Sequence, residues 1–182
     1  MDKTQQGVAR GMALALIAAL VVFALASICL PTLSNWRVDL PARLWLGSWS
    51  ILLPVATLLA CVARLAKHRF FTPEDINGSA LTAGTDRARL LQSLLQNTLE
   101  QTCLAVPVYF AGAVMAPAFL LPTIPAAGLM FLVGRLSFFA GYARGAPARA
   151  FGFALTFYPT AILLVTLVVV GTMQWVTGAG IY

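Results

Sequence analysis

Five apolar stretches, each long enough to cross a bilayer, make up most of this chain. The first runs from about Gly11 to Leu30 and the second from Leu44 to Val62. The third starts near Leu90 and stops before Pro117. The fourth starts in the Pro122–Pro125 turn and ends near Tyr142, and the fifth runs from about Ala150 to Trp175. About 20 predominantly apolar residues suffice for a helical span. Backbone in hydrocarbon must satisfy its own hydrogen bonds, which favours helices. The chain is 60% hydrophobic and 10% charged, against about 25% charged for a soluble domain. An all-α integral membrane bundle is therefore expected, with Pro54 kinking the second helix, as packed membrane helices tolerate.

The net charge of +6 does not point to nucleic acid, because no basic helix or basic–aromatic motif accompanies it. Cys29, Cys61 and Cys103 fall in three different apolar stretches, with no CxxC or Cys/His cluster. They read as buried small hydrophobes, not disulfides or metal ligands. His68 lies in the basic run Lys67-His68-Arg69 and reads as a solvated loop residue. No Ser/His/Asp set, phosphate-binding glycine loop or metal motif is present.

The first stretch reads as a retained helix. A signal peptide is the alternative, since Lys3 and Arg10 precede the stretch and Ala24-Leu25-Ala26 resembles a cleavage site. Its apolar core exceeds the usual length of a signal peptide. With five spans, Lys3, Arg10, Arg64, Lys67, Arg69, Arg87, Arg89, Arg144 and Arg149 share one side, and only Arg37 and Arg43 lie on the other. Cations favour the cytoplasmic side, so the N-terminus is expected inside and the C-terminal 178–182 outside. In the 67–89 connection, Thr72-Pro73-Glu74-Asp75 reads as the start of a short helix capped by Thr72, and Asn77-Gly78 as a turn.

Two charges stand apart. Glu100 is the only one from Leu90 to Gly134, and Arg135 the only one from Gly128 to Tyr142. A charge at bilayer depth costs about 2.5–3.5 kcal/mol on insertion scales and is normally paired. Ser93, Asn97 and Glu100 share one helix face, as do Arg135, Phe138, Phe139 and Tyr142. The two charges fall at similar depth, so a Glu100–Arg135 ion pair is expected. That pair either locks two helices together, with Asn97 as interhelical glue, or belongs to a cytoplasm-facing polar pocket. Tyr142, Arg144 and Arg149 would rim such a pocket and suit an acidic ligand.

The run GRLSFFAGYARGAPARAFGF, Gly134 to Phe153, resembles the signature of the membrane-associated proteins in eicosanoid and glutathione metabolism, the MAPEG family. There an Arg is followed by aromatics, Gly-Tyr and a second Arg; here these are Arg135, Phe138, Gly141-Tyr142 and Arg149. The family's Asn-x-x-Glu matches Asn97-Thr98-Leu99-Glu100. The GYAR run is especially similar to the leukotriene C4 synthase branch, beside the microsomal glutathione transferases.

The resemblance implies a four-helix MAPEG-like unit over residues 44–182, with residues 1–43 adding an N-terminal transmembrane helix and loop. It implies a homotrimer in the bilayer that binds glutathione as cosubstrate near the cytoplasmic face, and a lipophilic small molecule. Arg149 would stabilise the thiolate, and Asn97, Glu100 and Tyr142 would help hold the peptide; the polar-pocket reading adds Arg135 and Arg144 as candidate substrate-binding residues, and no metal site is expected. Four departures stand against this: Ser93 where glutathione-using members have an Arg, Phe138 for a Tyr of the leukotriene branch, Gln101 for a Tyr, and Arg87 with Arg89 preceding the helix out of the family's register. The expected activity is conjugation or reduction of lipophilic electrophiles with glutathione. A non-catalytic trimeric scaffold or lipid-binding subunit is the alternative, and a transporter using Glu100 as a proton site is a third.

Overall fold

The computed structural model describes residues 2–33, 39–78 and 83–178. Arg37 and residues 179–182, part of the expected outer side, lie outside the described residues. The helices are α1 (Lys3–Leu33), α2 (Leu40–Phe71), α3 (Asp86–Met115), α4 (Thr123–Gly141) and α5 (Ala146–Thr177), with single 3-10 turns at Pro73–Asp75, Ala118–Leu120 and Tyr142–Arg144. No strand occurs among the described residues. Four helical segments are long and apolar enough to cross a membrane: α1, α2, α4 with the turn before it, and α5. α3 has spanning length at 30 residues, but its amides and Glu100 make it less apolar. The molecule is an integral, multi-pass membrane protein.

Helix ends follow local chemistry. The Asp39 carboxylate accepts the Ala42 N–H at 3.3 Å and caps α2, with Pro41 in its first turn. The Thr85 hydroxyl accepts the Ala88 N–H at 3.2 Å and caps α3. Such caps satisfy donors that a helix start leaves free. α2 passes through Pro54 and continues beyond Val62 to Phe71. Lys67, His68 and Arg69 therefore occupy the last turns of a helix, not a loop. Long cationic side chains can sit there with their stems on apolar surface and their heads in water. The short helix expected from Thr72 is only the turn Pro73–Asp75, and Thr72 makes no side-chain cap. Its acid turns inward instead: Asp75 is buried. The Asn77-Gly78 turn is present, with Gly78 at φ 80°.

α2 packs along α3 and α4, α4 packs along α5, and α5 also meets α3. These four helices form the bundle. α1 is the additional N-terminal helix and packs on α5, where Gly7 and Gly11 face Pro147 and Ala150; Ala15 and Ala19 are fully buried. Tyr109, Leu121, Ile124 and Phe131 fill the core. The Tyr109 hydroxyl donates to the Ala127 carbonyl at 3.2 Å and lies 3.3 Å from Thr160 Oγ1. Arg43 Nη1 donates to the Ala116 carbonyl at 2.7 Å, tying the start of α2 to the end of α3.

α4 and α5 come close at Gly134, Gly141 and Gly152, and a Cβ on Gly141 would strike the Ala148 carbonyl. A Cβ on Gly134 would lie 2.9 Å from the Thr156 nitrogen, and one on Gly152 would strike the Phe138 backbone. Small residues let membrane helices approach and gain packing where burial from water drives nothing. The cysteines differ from expectation: Cys61 is buried, but Cys29 and Cys103 are exposed. A thiol on a bundle's outer face meets lipid or another chain without a desolvation cost.

Candidate functional site

The close approach of α4 and α5 seals Arg135 inside the bundle. Its side chain is fully buried. Nε donates to Thr156 Oγ1 at 3.0 Å, and Nη1 donates to Asn97 Oδ1 at 2.7 Å. The Arg135 guanidinium carbon lies 4.4 Å from the Phe138 ring centroid and 5.9 Å from that of Phe131. Nη2 has no hydrogen-bond partner among the described residues. A buried donor without an acceptor costs about 1–3 kcal/mol, more when charged, so this atom marks a place for a further acceptor.

The aromatic row continues outward. Phe138 meets Tyr142 edge-on at 5.2 Å, and the Arg149 guanidinium carbon lies 4.5 Å over the Tyr142 ring. The result is a ladder of cation, ring, ring and cation, from buried Arg135 to half-buried Arg149 at the end of the bundle. Cation–ring contacts contribute about 0.5–1 kcal/mol at exposed sites and more when desolvated. Arg149 stands in the first turn of α5, where free backbone N–H groups add to a field that favours anions.

Of the sequence-derived residues, Asn97, Arg135, Tyr142 and Arg149 fall on this ladder. Glu100 and Arg144 do not. Arg144 is exposed in the turn before α5. Glu100 is exposed on α3 and accepts from Gln96 Nε2 at 3.0 Å. The expected Glu100–Arg135 ion pair is not formed within the subunit. Three residues beyond Asn97, Glu100 is rotated about 60° around the helix, so Asn97 faces Arg135 and Glu100 faces outward. Ser93 is also exposed, and its hydroxyl donates to the Arg89 carbonyl at 2.9 Å.

The order Asn97…Glu100, then Arg135…Tyr142…Arg149, now has a fold around it. The MAPEG family profile matches residues 42–169. The chain belongs to the MAPEG family. No curated protein and no solved structure matches it. MAPEG membership, with the apolar helices, supports a membrane role related to glutathione or eicosanoid metabolism in general terms. The matched region takes in the whole ladder and stops short of α1.

Two parts of this MAPEG chain escaped the sequence reading. Thr156 orients Arg135, and its signal was the Gly152-x-x-x-Thr156-x-x-x-Thr160 spacing, which lines one face of α5 with small and hydroxyl side chains. The second lies beyond the spans. Asp75 Oδ1 accepts the Thr85 N–H at 2.8 Å, and Oδ2 accepts the Thr85 hydroxyl at 2.6 Å. His68 Nε2 lies 2.9 Å from Oδ2. The two Thr85 bonds, with His68 adding to them, hold the Asp75 carboxyl below its ordinary value of 3.8. The His68 side chain is 20% exposed and partnered, unlike the solvated loop residue expected.

Proposed function

We propose that the chain is a membrane glutathione transferase or peroxidase that acts on lipophilic electrophiles, with Arg149 as the residue that stabilises the thiolate. The observation that carries this reading is Arg149 held over Tyr142 at 4.5 Å at the start of α5, with no ion pair among the described residues. A guanidinium fixed on a ring, with donors free and no carboxylate neutralising it, is suited to an incoming anion. Arg135 adds a second fit: its buried Nη2 lacks an acceptor.

Glutathione would supply the nucleophilic sulfur. Its thiolate adds to an activated carbon–carbon double bond or opens an epoxide, the resulting anion taking a proton from water. Alternatively it attacks a hydroperoxide O–O bond, releasing the alcohol and leaving a sulfenic acid that a second glutathione converts to the disulfide and water. The residues do the rest. Arg149 and the start of α5 lower the thiol pKa by favouring the charged form, and the proton leaves to water. Asn97 is held by Arg135 and keeps its amide N–H groups for a peptide carbonyl. Tyr142 offers a hydroxyl near Arg149. The Ser93 hydroxyl, committed to the Arg89 carbonyl, brings no cation, so weak, millimolar binding is expected.

The exposed face of α3 bears on assembly. Ser93, Gln96 and Glu100 follow one another at helical spacing and are all exposed in the single subunit. A carboxylate facing hydrocarbon is costly, which supports covering this face with a second copy, as in a homotrimer. The site would then lie between subunits, and Glu100 would reach the ligand from that interface. The nine-to-two distribution of loop cations supports a cytoplasmic N-terminus and a site at the cytoplasmic face.

The departure at Ser93 and the outward Glu100 favour a second reading: a non-catalytic trimeric scaffold or lipid-binding subunit. A glutathione titration on the purified trimer separates the two. Saturation at millimolar ligand, weakened by Asn97→Leu, supports the enzyme. No saturable binding to a folded trimer leaves the scaffold.

A further inference from the structure

The end of the bundle where α2 stops and α3 begins carries a second basic site, apart from the ladder. A cavity of about 370 Å³ is lined there by Arg64, Lys67, His68, Phe71, Arg87 and the buried Leu91. No carboxylate is among its lining residues. The nearby acid, Asp75, is engaged by Thr85 and His68. Arg64, Lys67 and Arg87 are exposed and make no ion pair or side-chain hydrogen bond among the described residues. Three unneutralised cations on one concave surface raise the local concentration of anions.

The position of the cavity narrows the ligand. Trp45 and Trp49, 65% and 57% exposed, sit near the start of α2, where exposed tryptophans mark a membrane interface. Arg64 follows Trp45 by nineteen residues, about 28 Å at 1.5 Å per residue. That is close to the hydrocarbon thickness of about 30 Å, so the cavity lies at the headgroup level of the opposite leaflet. Phe70 and Phe71, 74% and 70% exposed, adjoin the cations, and Phe71 lines the cavity itself.

We propose that this cavity binds the phosphate of an anionic phospholipid. The guanidinium groups take the phosphodiester oxygens, and the Phe71 ring lines the headgroup side of the cavity. The Trp45–Arg64 span sets these cations at the depth of lipid phosphates, which favours a lipid over a phosphate free in water. Three cations against one phosphodiester charge select a net-anionic lipid over a zwitterionic one. The site is independent of glutathione chemistry and stands whether or not the protein is an enzyme.

The test uses the full, delipidated protein in neutral detergent with chain-labelled phosphatidylglycerol as the probe. Saturable binding is expected, weakened about tenfold or more in Lys67→Gln/Arg87→Gln and unchanged in Lys3→Gln/Arg10→Gln, which removes the same charge elsewhere. Arg64→Gln gives an independent reading in the same direction. The substituted cations are exposed and unbonded, and circular dichroism verifies the fold. Equal loss in both double variants overturns the proposal in favour of bulk electrostatics. Equal binding of phosphatidylcholine overturns its selectivity. Displacement by millimolar inorganic phosphate assigns the cavity to a soluble anion. Displacement by glutathione assigns it to the thiol peptide, and the glutathione titration itself is read separately.

Discussion

Arg135 donates from Nη1 to Asn97 Oδ1 across 2.7 Å, and this bond to a neutral amide links α4 to α3 inside the bundle. It accounts for a guanidinium that is fully buried without a carboxylate. Asn97→Leu removes an acceptor from a charged donor, at an expected cost of about 1.5–3 kcal/mol. Arg135→Leu removes the charge itself. Thermal unfolding of the double variant should show less loss than the two singles combined. Glu100→Leu with Arg135→Leu should instead be additive. Additive loss for Asn97 and Arg135 would show that the bond does not couple the helices.

The backbone contact between α4 and α5 gives a second expectation. Gly152→Ala places a methyl against the Phe138 backbone, and Gly134→Ala places one on Thr156. Each should cost about 1–3 kcal/mol, as overpacking generally does. Gly171→Ala is the comparison, since its methyl meets only the flexible end of Met115 at 3.2 Å. Equal melting temperatures for Gly152→Ala and Gly171→Ala would contradict this packing.

Much of the fold was legible because apolar stretches dictate helices in a bilayer, and the prolines from Pro117 to Pro125 mark the turn between the third and fourth. Helix ends were harder to read. The run Lys67-His68-Arg69 looks like a loop by charge, yet a helix emerging from hydrocarbon carries such residues readily. At the site, formal charge misled. It pointed Arg135 to Glu100, whereas a neutral Asn97 oxygen and the Thr156 hydroxyl satisfy two of its groups. The Asp75–Thr85 contact spans ten positions across a connection with no periodicity, so nothing in the sequence announced it.

That contact makes a pH prediction. The folded pKa of Asp75 is lowered from 3.8, so the unfolded chain takes up a proton first as pH falls. The stabilisation is fully present above about pH 4 and is lost as pH drops through the folded value. The stability difference between wild type and Asp75→Asn should therefore be constant at neutral pH and shrink on acidification below that point. Thr85→Ala, which removes the largest cause, should raise the folded value toward 3.8, so that less stability is lost and the loss is complete at a higher pH. A difference that grows with acid would contradict the assignment.

Orientation can be read with reporters fused after Tyr182. Five crossings with the N-terminus inside put the C-terminus outside, so a periplasm- or lumen-active reporter should work there and a cytoplasm-dependent one should fail. The reverse pattern would mean that α1 or α3 does not span, and would move the Arg149 site to the other face.

The central claim is that Arg149 activates a bound thiol. A thiolate absorbs near 240 nm, so adding millimolar glutathione to the wild-type protein near neutral pH should raise that absorbance saturably. Arg149→Ala should abolish the rise while leaving most of the binding, because Asn97 and the other contacts still hold the peptide. Saturable glutathione binding with no thiolate signal in wild type, or an undiminished signal in Arg149→Ala, would contradict the account.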